Sequence, residues 1–209
     1  QKDENVAAFL TVKEFTDDEF IMMVTSQGTV KKTVLSAYGN PRSTGIIAIN
    51  LGDGDNLIDA KITDGKNDVL VATRQGQAIR FNEDEVRDMG RSATGVRGFS
   101  LAKDNAVIVM IARRANGNVL VVSENGYGKR SEVSSYRLTK RGGKGVITMN
   151  VTAKTGPVIA IKEASDQDDM VIITGKGLVI RQHVRKIRVM GRNTQGVRLI
   201  HLREGDSIA

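Results

Sequence analysis

The chain has 209 residues, of which 40% are apolar and 26% charged, enough for one large β domain or two small ones. Cysteine is absent and only two histidines occur, His183 and His201, which excludes a disulfide framework or thiolate metal site and disfavours a zinc or Ser-His-Asp centre. The longest apolar run, Ala106–Ala112, is about a third of the ~20 residues that a membrane helix needs. Because the chain starts at Gln1 without a basic-then-apolar leader, we expect a fragment of a cytosolic protein.

The charge is distributed unevenly along the chain. The formal net charge is +7, but residues 1–20 carry six acidic side chains against two lysines, a net of −4, which leaves +11 for the remainder. A surplus of this size predicts a polyanionic partner, and nucleic acid is the commonest one. A basic surface that serves only solubility is the alternative at this point.

The predicted elements are β-strands arranged in repeats. A first strand is predicted at Val6–Val12, and four mutually similar segments follow it. Each segment opens with a short apolar run, turns at a glycine and resumes as a strand. The segments are Phe20–Leu51, Asp68–Leu101, Asn118–Val151 and Asp169–Leu202.

Two series of glycines keep the phase of these repeats. The turn glycines, spaced by 48, 50 and 51 residues, are Gly28, Gly76, Gly126 and Gly177. We expect them to have the positive φ of a tight hairpin turn. The second series, spaced by 50, 50 and 51 residues, is Gly45, Gly95, Gly145 and Gly196. Further strands are predicted after each second glycine and between copies, at Ile46–Leu51, Val96–Leu101, Val146–Val151, Val197–Leu202, Leu57–Ile62, Ala106–Ala112 and Pro157–Ile161.

About four strands in each unit of roughly 50 residues, with almost no helix, are typical of propeller blades. We therefore predict an all-β fold in which residues 1–209 form a single domain of about four blades. The chain stops at Asp206–Ala209, where the strand of a further copy would begin. We expect neighbouring blades of a larger disc to be missing from it.

Basic residues recur in phase with the repeats. One series, four positions after each turn glycine, is Lys32, Arg80, Arg130 and Arg181. A second series, three or four positions before each second glycine, is Arg42, Arg91, Arg141 and Arg192. Equal phase means an equal place on each blade, so these side chains are predicted to form a cationic band that contacts duplex phosphates. The alternative is that they bond neighbouring blades or close their own loops.

The loops before the second glycines become more basic along the chain. Those of the third and fourth copies, Ser131–Lys144 and Gln182–Gln195, are expected to hold polyanion most strongly. The third contains the sequence Lys-Arg-Gly-Gly-Lys-Gly at 140–145, whose glycine amides could approach a phosphate; a flexible basic turn without a ligand is the alternative. It is not a Walker A loop, because glycine follows the lysine. The complete predicted DNA-binding set is Lys31, Lys32, Arg42, Arg80, Arg91, Arg97, Lys129, Arg130, Arg137, Lys140, Arg141, Lys144, Arg181, Lys186, Arg188, Arg192 and Arg198.

The repeat motifs resemble the C-terminal domain of the DNA gyrase A subunit over essentially the whole chain. They are Gly28–Lys32, Met89–Gly98, Asn125–Arg130 and Val189–Val197. The resemblance implies a β-pinwheel, a propeller-like disc of usually six strand-exchanging blades with duplex DNA wrapped around a basic rim, so that gyrase, a type II topoisomerase, introduces negative supercoils. It further implies that the partners are DNA, the rest of the gyrase A subunit and the gyrase B subunit, in the bacterial cytoplasm near the nucleoid. ATP and Mg²⁺ would act elsewhere in the holoenzyme, and we expect no cofactor, metal or catalytic residue in this segment.

One motif departs from the family pattern. The family's gyrase box, Gln-(Lys/Arg)-Arg-Gly-Gly-Lys-Gly, normally lies in the first blade. Here Thr139 replaces the glutamine and the match lies in the third copy, so the principal box is expected upstream of Gln1. The box-like loop is Arg141, Gly142, Gly143, Lys144 and Gly145.

Three other functions fit parts of the pattern. The matching domain of topoisomerase IV is the nearest, and the even repeat spacing and the box-like loop favour gyrase over it. A protein-binding propeller would need exposed aromatic or apolar hot spots, and the recurrent residues here are basic. A single-strand binder would need aromatic stacking platforms, and aromatic residues are only 4% of the chain. The three tyrosines, Tyr38, Tyr127 and Tyr136, lack the acidic cluster of a strand-cleaving site; Tyr38 and Tyr136 are expected to pack.

Overall fold

The computed structural model describes residues 5–113 and 117–209. Its fourteen strands are β1 Phe20–Thr25, β2 Thr29–Val34, β3 Leu57–Thr63, β4 Asp68–Thr73, β5 Gln77–Asn82, β6 Val96–Arg97, β7 Val107–Arg113, β8 Asn118–Ser123, β9 Tyr127–Glu132, β10 Val146–Ile147, β11 Val158–Ala164, β12 Asp169–Ile173, β13 Val179–His183 and β14 Val197–Arg198. Four short 3₁₀ helices span Leu35–Tyr38, Glu83–Glu85, Val133–Ser135 and Val184–Lys186. In these described ranges, no helix has the length and apolar character needed to cross a membrane.

The strands form sheets that exchange a strand between repeats. Three antiparallel sheets have four strands, in the orders β3-β1-β2-β6, β10-β5-β4-β7 and β11-β8-β9-β14, and β12-β13 form a two-stranded sheet. The short strands β6, β10 and β14 each belong to the repeat that follows the hairpin they join. The predicted all-β fold is confirmed, and three of the four sheets in the described residues have the four strands expected of a unit.

The chain divides into two compact units. The first contains the described residues of Gln1–Val71, Ile79–Arg114 and Leu138–Lys144, and the second those of Ala72–Ala78, Ala115–Arg137 and Gly145–Ala209. The core of the first unit includes Met22, Val24, Val69, Val71, Phe81, Phe99, Val107 and Met110. The core of the second includes Leu120, Val122, Met170, Ile172, Val184, Leu199 and Ile200.

Strand β1 shows why these apolar runs are continuous. Met22 and Val24 face one buried cluster, while Ile21 and Met23 face a second cluster with Leu35 and Ala60. Because neighbouring side chains of a strand point to opposite faces, a strand that is covered on both sides needs an unbroken apolar sequence.

Strand exchange depends on the turn glycines. The carbonyl of Gly28 accepts hydrogen bonds from the amides of Gly98 (2.8 Å) and Phe99 (3.0 Å), which follow β6. A Cβ on Gly28 would lie 2.8 Å from the Phe99 carbonyl oxygen, and the φ of Gly28 is +85°. The carbonyls of Gly76 and Gly126 each accept the equivalent pair of amides, from the segments after β10 and β14 respectively. Glycine is thus required both for the turn and for the approach of the next repeat.

Several predicted strands are shorter than expected or absent. The predictions at Val96–Leu101, Val146–Val151 and Val197–Leu202 are wrong beyond their first two residues, because the next amides bond the turn glycine and leave the ladder. Ile46–Leu51 forms no strand, and the described residues contain no preceding hairpin for it to join.

The strand predicted at Val6–Val12 is also absent. Instead, Ala8, Leu10 and Val12 pack irregularly on the cluster of Ile21 and Met23.

We predict that Gly76→Ala destabilises the fold by more than about 2 kcal/mol, because its Cβ would lie 2.3 Å from the Met149 carbonyl oxygen. Gly177 is the matched control: its φ is +81° but no atom lies within 4 Å of the position that its Cβ would take, so Gly177→Ala should cost only the backbone strain of about 1–2 kcal/mol. Urea denaturation of both variants measures the difference. Equal losses would contradict the close approach as the cause.

Candidate nucleic-acid interface

The first basic series lies on the second strand of each hairpin, and two of its members are buried. Lys32 is 6% exposed and Arg130 is 5% exposed. The Lys32 ammonium lies 3.3 Å from Asp88, and Arg130 pairs with Asp166 and donates from Nε to the Ile187 carbonyl at 2.8 Å. Both cations therefore hold the chain of the following repeat.

The other two members of this series share one local motif. Arg80 donates through Nε to Asp68 at 3.0 Å, and Arg181 donates to Asp169 in the same way at 2.8 Å. The hydrogen bond from Arg181 is the main cause that lowers the pKa of Asp169 below its usual value. Arg181 nevertheless keeps 72% of its side chain exposed, while Arg80 keeps 12%. Each side chain is thus neutralised within its own hairpin, and phosphate contact by this series stays a prediction.

The second series makes a repeating contact between copies. Arg91, Arg141 and Arg192 each donate from Nη1 to a backbone carbonyl of the preceding repeat, at 3.3, 2.9 and 2.8 Å. The three acceptors lie two residues after a second glycine and are Ile47, Arg97 and Ile147. Arg141 and Arg192 therefore latch their loops onto the exchanged strands β6 and β10, and Arg91 latches its loop onto Ile47, which lies in no strand of the described residues.

Arg42 is the member of the second series without such a latch. It is exposed and lines an open cavity of about 530 Å³ together with Arg91, Asn40 and Thr44. This cavity carries two guanidinium groups, which suits an anion.

Two lysines of the predicted DNA-binding set are completely buried. Lys31 donates from Nζ to the carbonyls of Ala48 (2.6 Å) and Arg91, and Lys129 to those of Gly191 (2.7 Å) and Arg192. Burial, together with the nearby arginine, lowers the pKa of each lysine to about 8. Their contacts are with protein carbonyls.

The sequence contains a signal for this role that the charge pattern alone does not reveal. Each lysine is followed seven residues later by a tyrosine, Tyr38 or Tyr136. The second lysine–tyrosine pair lies 98 residues after the first, a distance of two repeats. Tyr136 is fully buried and Tyr38 is partly buried, in agreement with their expected packing.

The box-like loop is braced by backbone hydrogen bonds. The amide of Gly142 donates to Gly98 at 2.6 Å, and the carbonyl of Gly143 accepts from Ser100 at 2.9 Å. The amide hydrogen of Gly142 is therefore already bonded within the protein, and phosphate contact by the other glycine amides of the loop stays a prediction. The exposed cationic side chains of residues 140–145 are Lys140 and Lys144.

Eight predicted DNA-binding cations remain exposed and form no ion pair in the described ranges. The first unit carries Arg42, Arg97, Lys140 and Lys144, and the second carries Arg137, Lys186, Arg188 and Arg198. Arg198 also donates to the Tyr127 hydroxyl at 2.7 Å, and Lys154 lies over the same ring. Within residues 5–113 and 117–209, no group of three or more His, Cys, Asp or Glu side chains could hold a metal ion.

The fold and these cations define a class: a β-repeat domain of the propeller type, with strands exchanged between repeats and exposed basic loops. A family model described as the DNA gyrase C-terminal domain, β-propeller, matches residues 19–64, 67–112, 117–163 and 168–209. The chain belongs to this family.

Individual relatives agree with the family match. The DNA gyrase A subunit of Salmonella typhimurium is 43% identical over 208 residues, covering 100% of this chain and 24% of that protein. The solved DNA gyrase A C-terminal domain has a TM-score of 0.88 at 26% identity, covering 100% of this chain and 70% of that one. The topoisomerase IV C-terminal domain gives the same score and identity, with coverages of 94% and 62%. The chain thus spans about a quarter of the length of the curated relatives it matches.

We predict that the two arginines Arg130 and Arg181 differ in their contribution to stability. Arg130→Ala should cost about 2–4 kcal/mol, because it leaves the Ile187 carbonyl without its buried donor. Arg181→Ala should cost less than about 1 kcal/mol, because its ion pair is exposed to solvent. Urea denaturation at neutral pH compares them, and equal costs would contradict the structural role of Arg130.

Proposed function

We propose that this chain binds duplex DNA with little sequence preference and bends it through its exposed cationic loops. In the larger protein of which such domains are part, this binding would let gyrase introduce negative supercoils. ATP and Mg²⁺ would act in other parts of that protein, and the gyrase B subunit and the rest of the gyrase A subunit would be its partners.

The observation that carries the proposal is the set of eight exposed cations without a carboxylate partner in the described ranges, four on each compact unit. Exposed Arg and Lys side chains contact phosphates without reading bases. The other basic residues of the predicted set bond the protein itself, so the exposed ones are the groups that remain available to a polyanion.

The energetics of bending suit a purely electrostatic surface. Bending a short duplex by roughly 40–90° costs on the order of 1–6 kcal/mol, which phosphate contacts and counterion release can offset. The aromatic content of 4% provides little for base stacking, which favours duplex over single strands.

We predict a steep salt dependence for duplex binding. If the eight exposed cations each neutralise one phosphate, log K falls with log salt with a slope of about −7. Titration of a labelled duplex and a matched single strand at several salt concentrations measures it. A slope shallower than about −3, or tighter binding of the single strand, would contradict the proposal.

We also predict that the chain changes the linking number of nicked plasmid sealed by ligase. Lys140→Glu with Lys144→Glu should reduce the change, because Lys144 is exposed in the box-like loop and Lys140 is exposed directly before it. The control is Lys103→Glu with Lys162→Glu, two exposed lysines outside the predicted set with the same change in charge. Equal effects of the two pairs would indicate a response to net charge alone.

The size of this linking-number change also bears on the second candidate function. The topoisomerase IV domain is as similar in fold as the gyrase domain, with a TM-score of 0.88 for each. Because a topoisomerase IV type of domain is expected to bend DNA less, duplex binding with little change in linking number would favour that alternative.

A further inference from the structure

Two buried lysines bind the main chain of a loop in the next repeat. Lys31 and Lys129 are 0% exposed, and each ammonium donates to two backbone carbonyls. One acceptor in each case is the carbonyl of a latch arginine, Arg91 or Arg192. The lysine thus binds the backbone of the same arginine whose side chain latches the loop to the preceding repeat.

A tyrosine completes each of these clusters. The hydroxyl of Tyr38 donates to the Ala48 carbonyl at 3.3 Å, the same oxygen that Lys31 binds. The Tyr136 hydroxyl is hydrogen-bonded to Thr148, and the Arg192 guanidinium lies 5.8 Å from the centre of its ring. In both copies the buried lysine bonds the carbonyl of a latch arginine, and a tyrosine packs in the same cluster.

The other repeats fold without this ammonium. At the equivalent position, three residues after the turn glycine, the second copy has Ile79 and the fourth has Ile180. Ile79 is 1% exposed, and its Cδ1 lies 3.4 Å from a Cβ built on Gly143, under the box-like loop. An apolar side chain therefore fits this place, and the fold of a repeat does not require a buried charge there.

The loop held by Lys129 carries exposed cations. Lys186 and Arg188 precede the anchored carbonyls of Gly191 and Arg192 by only a few residues, and neither has an ion-pair partner among the described residues. A hydrogen bond from a charged donor is roughly twice as strong as a neutral one. Holding this loop in place before binding lowers the ordering cost when a phosphate chain arrives.

We propose that Lys129 is a positioning residue for polyanion binding, whose buried ammonium group holds a basic loop in its binding geometry without touching the phosphates. Lys31 anchors the corresponding loop of the second copy in the same way, although acidic residues outnumber basic ones in that loop. The proposal rests on the proposed DNA binding and assigns these two lysines a role different from direct contact. Burial of a charge lowers stability, so this arrangement trades folding stability for an ordered loop.

The charge has a measurable signature in the absence of DNA. The pKa of each lysine is about 8 in the folded chain and ordinarily 10.5, so between about pH 8 and 10 the unfolded chain binds more protons. The free energy of unfolding therefore rises with pH in this window. The charged and titratable groups of these two clusters are Arg91, Arg192, Tyr38 and Tyr136, and burial raises the pKa of both tyrosines above its usual value.

The decisive experiment compares Lys129→Ile with Lys186→Ile in duplex titrations over a range of salt. Lys129→Ile should weaken binding by about three- to tenfold while leaving the salt slope unchanged, because an anchor is lost and no phosphate contact is. Lys186→Ile, the same substitution at an exposed position of the same loop, should make the slope shallower by about 0.9. Unchanged affinity for Lys129→Ile, or a slope reduced as much as in Lys186→Ile, would overturn the proposal.

A second measurement works whether or not the chain binds DNA. Amide hydrogen exchange of Met190, whose N–H bonds the Arg130 carbonyl at 2.8 Å, should accelerate in Lys129→Ile and stay unchanged in Lys186→Ile. The rise of stability between pH 8 and 10 should also shrink in Lys129→Ile, and Lys31→Ile repeats the test in the first unit. If the wild-type chain does not bind DNA but exchange at Met190 accelerates in Lys129→Ile, the proposed function is rejected and the anchoring role of Lys129 stands. If exchange at Met190 is unchanged in Lys129→Ile, the anchoring role is rejected.

Discussion

The carbonyl of the turn glycine is the contact on which the rest of the structure depends. It accepts two amides from the repeat that follows, at Gly28, Gly76 and Gly126 alike. Because the accepting residue must allow both a positive φ and the approach of another backbone, no side chain is tolerated there. The same contact ends each exchanged strand after two residues. It also makes each repeat a part of the one before it, as expected for an array stabilised by neighbour contacts.

Strand exchange also determines which basic side chains are buried between repeats. Of the basic residues four positions after the turn glycine, Lys32 and Arg130 are buried and bind the next repeat, whereas Arg80 and Arg181 pair within their own hairpins. The latch arginines Arg141 and Arg192 bond carbonyls of the exchanged strands β6 and β10. Regular spacing of cations along the sequence therefore reflects the assembly of the repeats as much as the spacing of phosphates. Seven of the eight cations that stay exposed without an ion pair in the described ranges lie outside these two series, and Arg42 is the exception.

The repeats are of two kinds. The hairpins of the first and third copies have a buried lysine, with a tyrosine seven residues later, and those of the second and fourth have isoleucine. The box-like loop packs over the isoleucine of the second hairpin, whereas the latch arginines Arg91 and Arg192 lie over the lysines. Successive loops thus pack against different side chains, either a buried lysine or a buried isoleucine, although the repeats are equivalent in sequence phase.

The sequence by itself determined the all-β fold, the four repeats, the hairpin turns and the family, because glycine phase and apolar runs are local properties of strands and turns. It also showed that basic residues recur at fixed positions relative to the glycines of each repeat. Only the tertiary structure decided which cations face solvent, since Lys31 and Lys144 look alike in sequence while one is enclosed by carbonyls and the other is exposed. That difference depends on which repeat packs on which strand, and hydrogen bonds across 60 residues of chain, such as the one from Lys31 to Arg91, leave no local pattern.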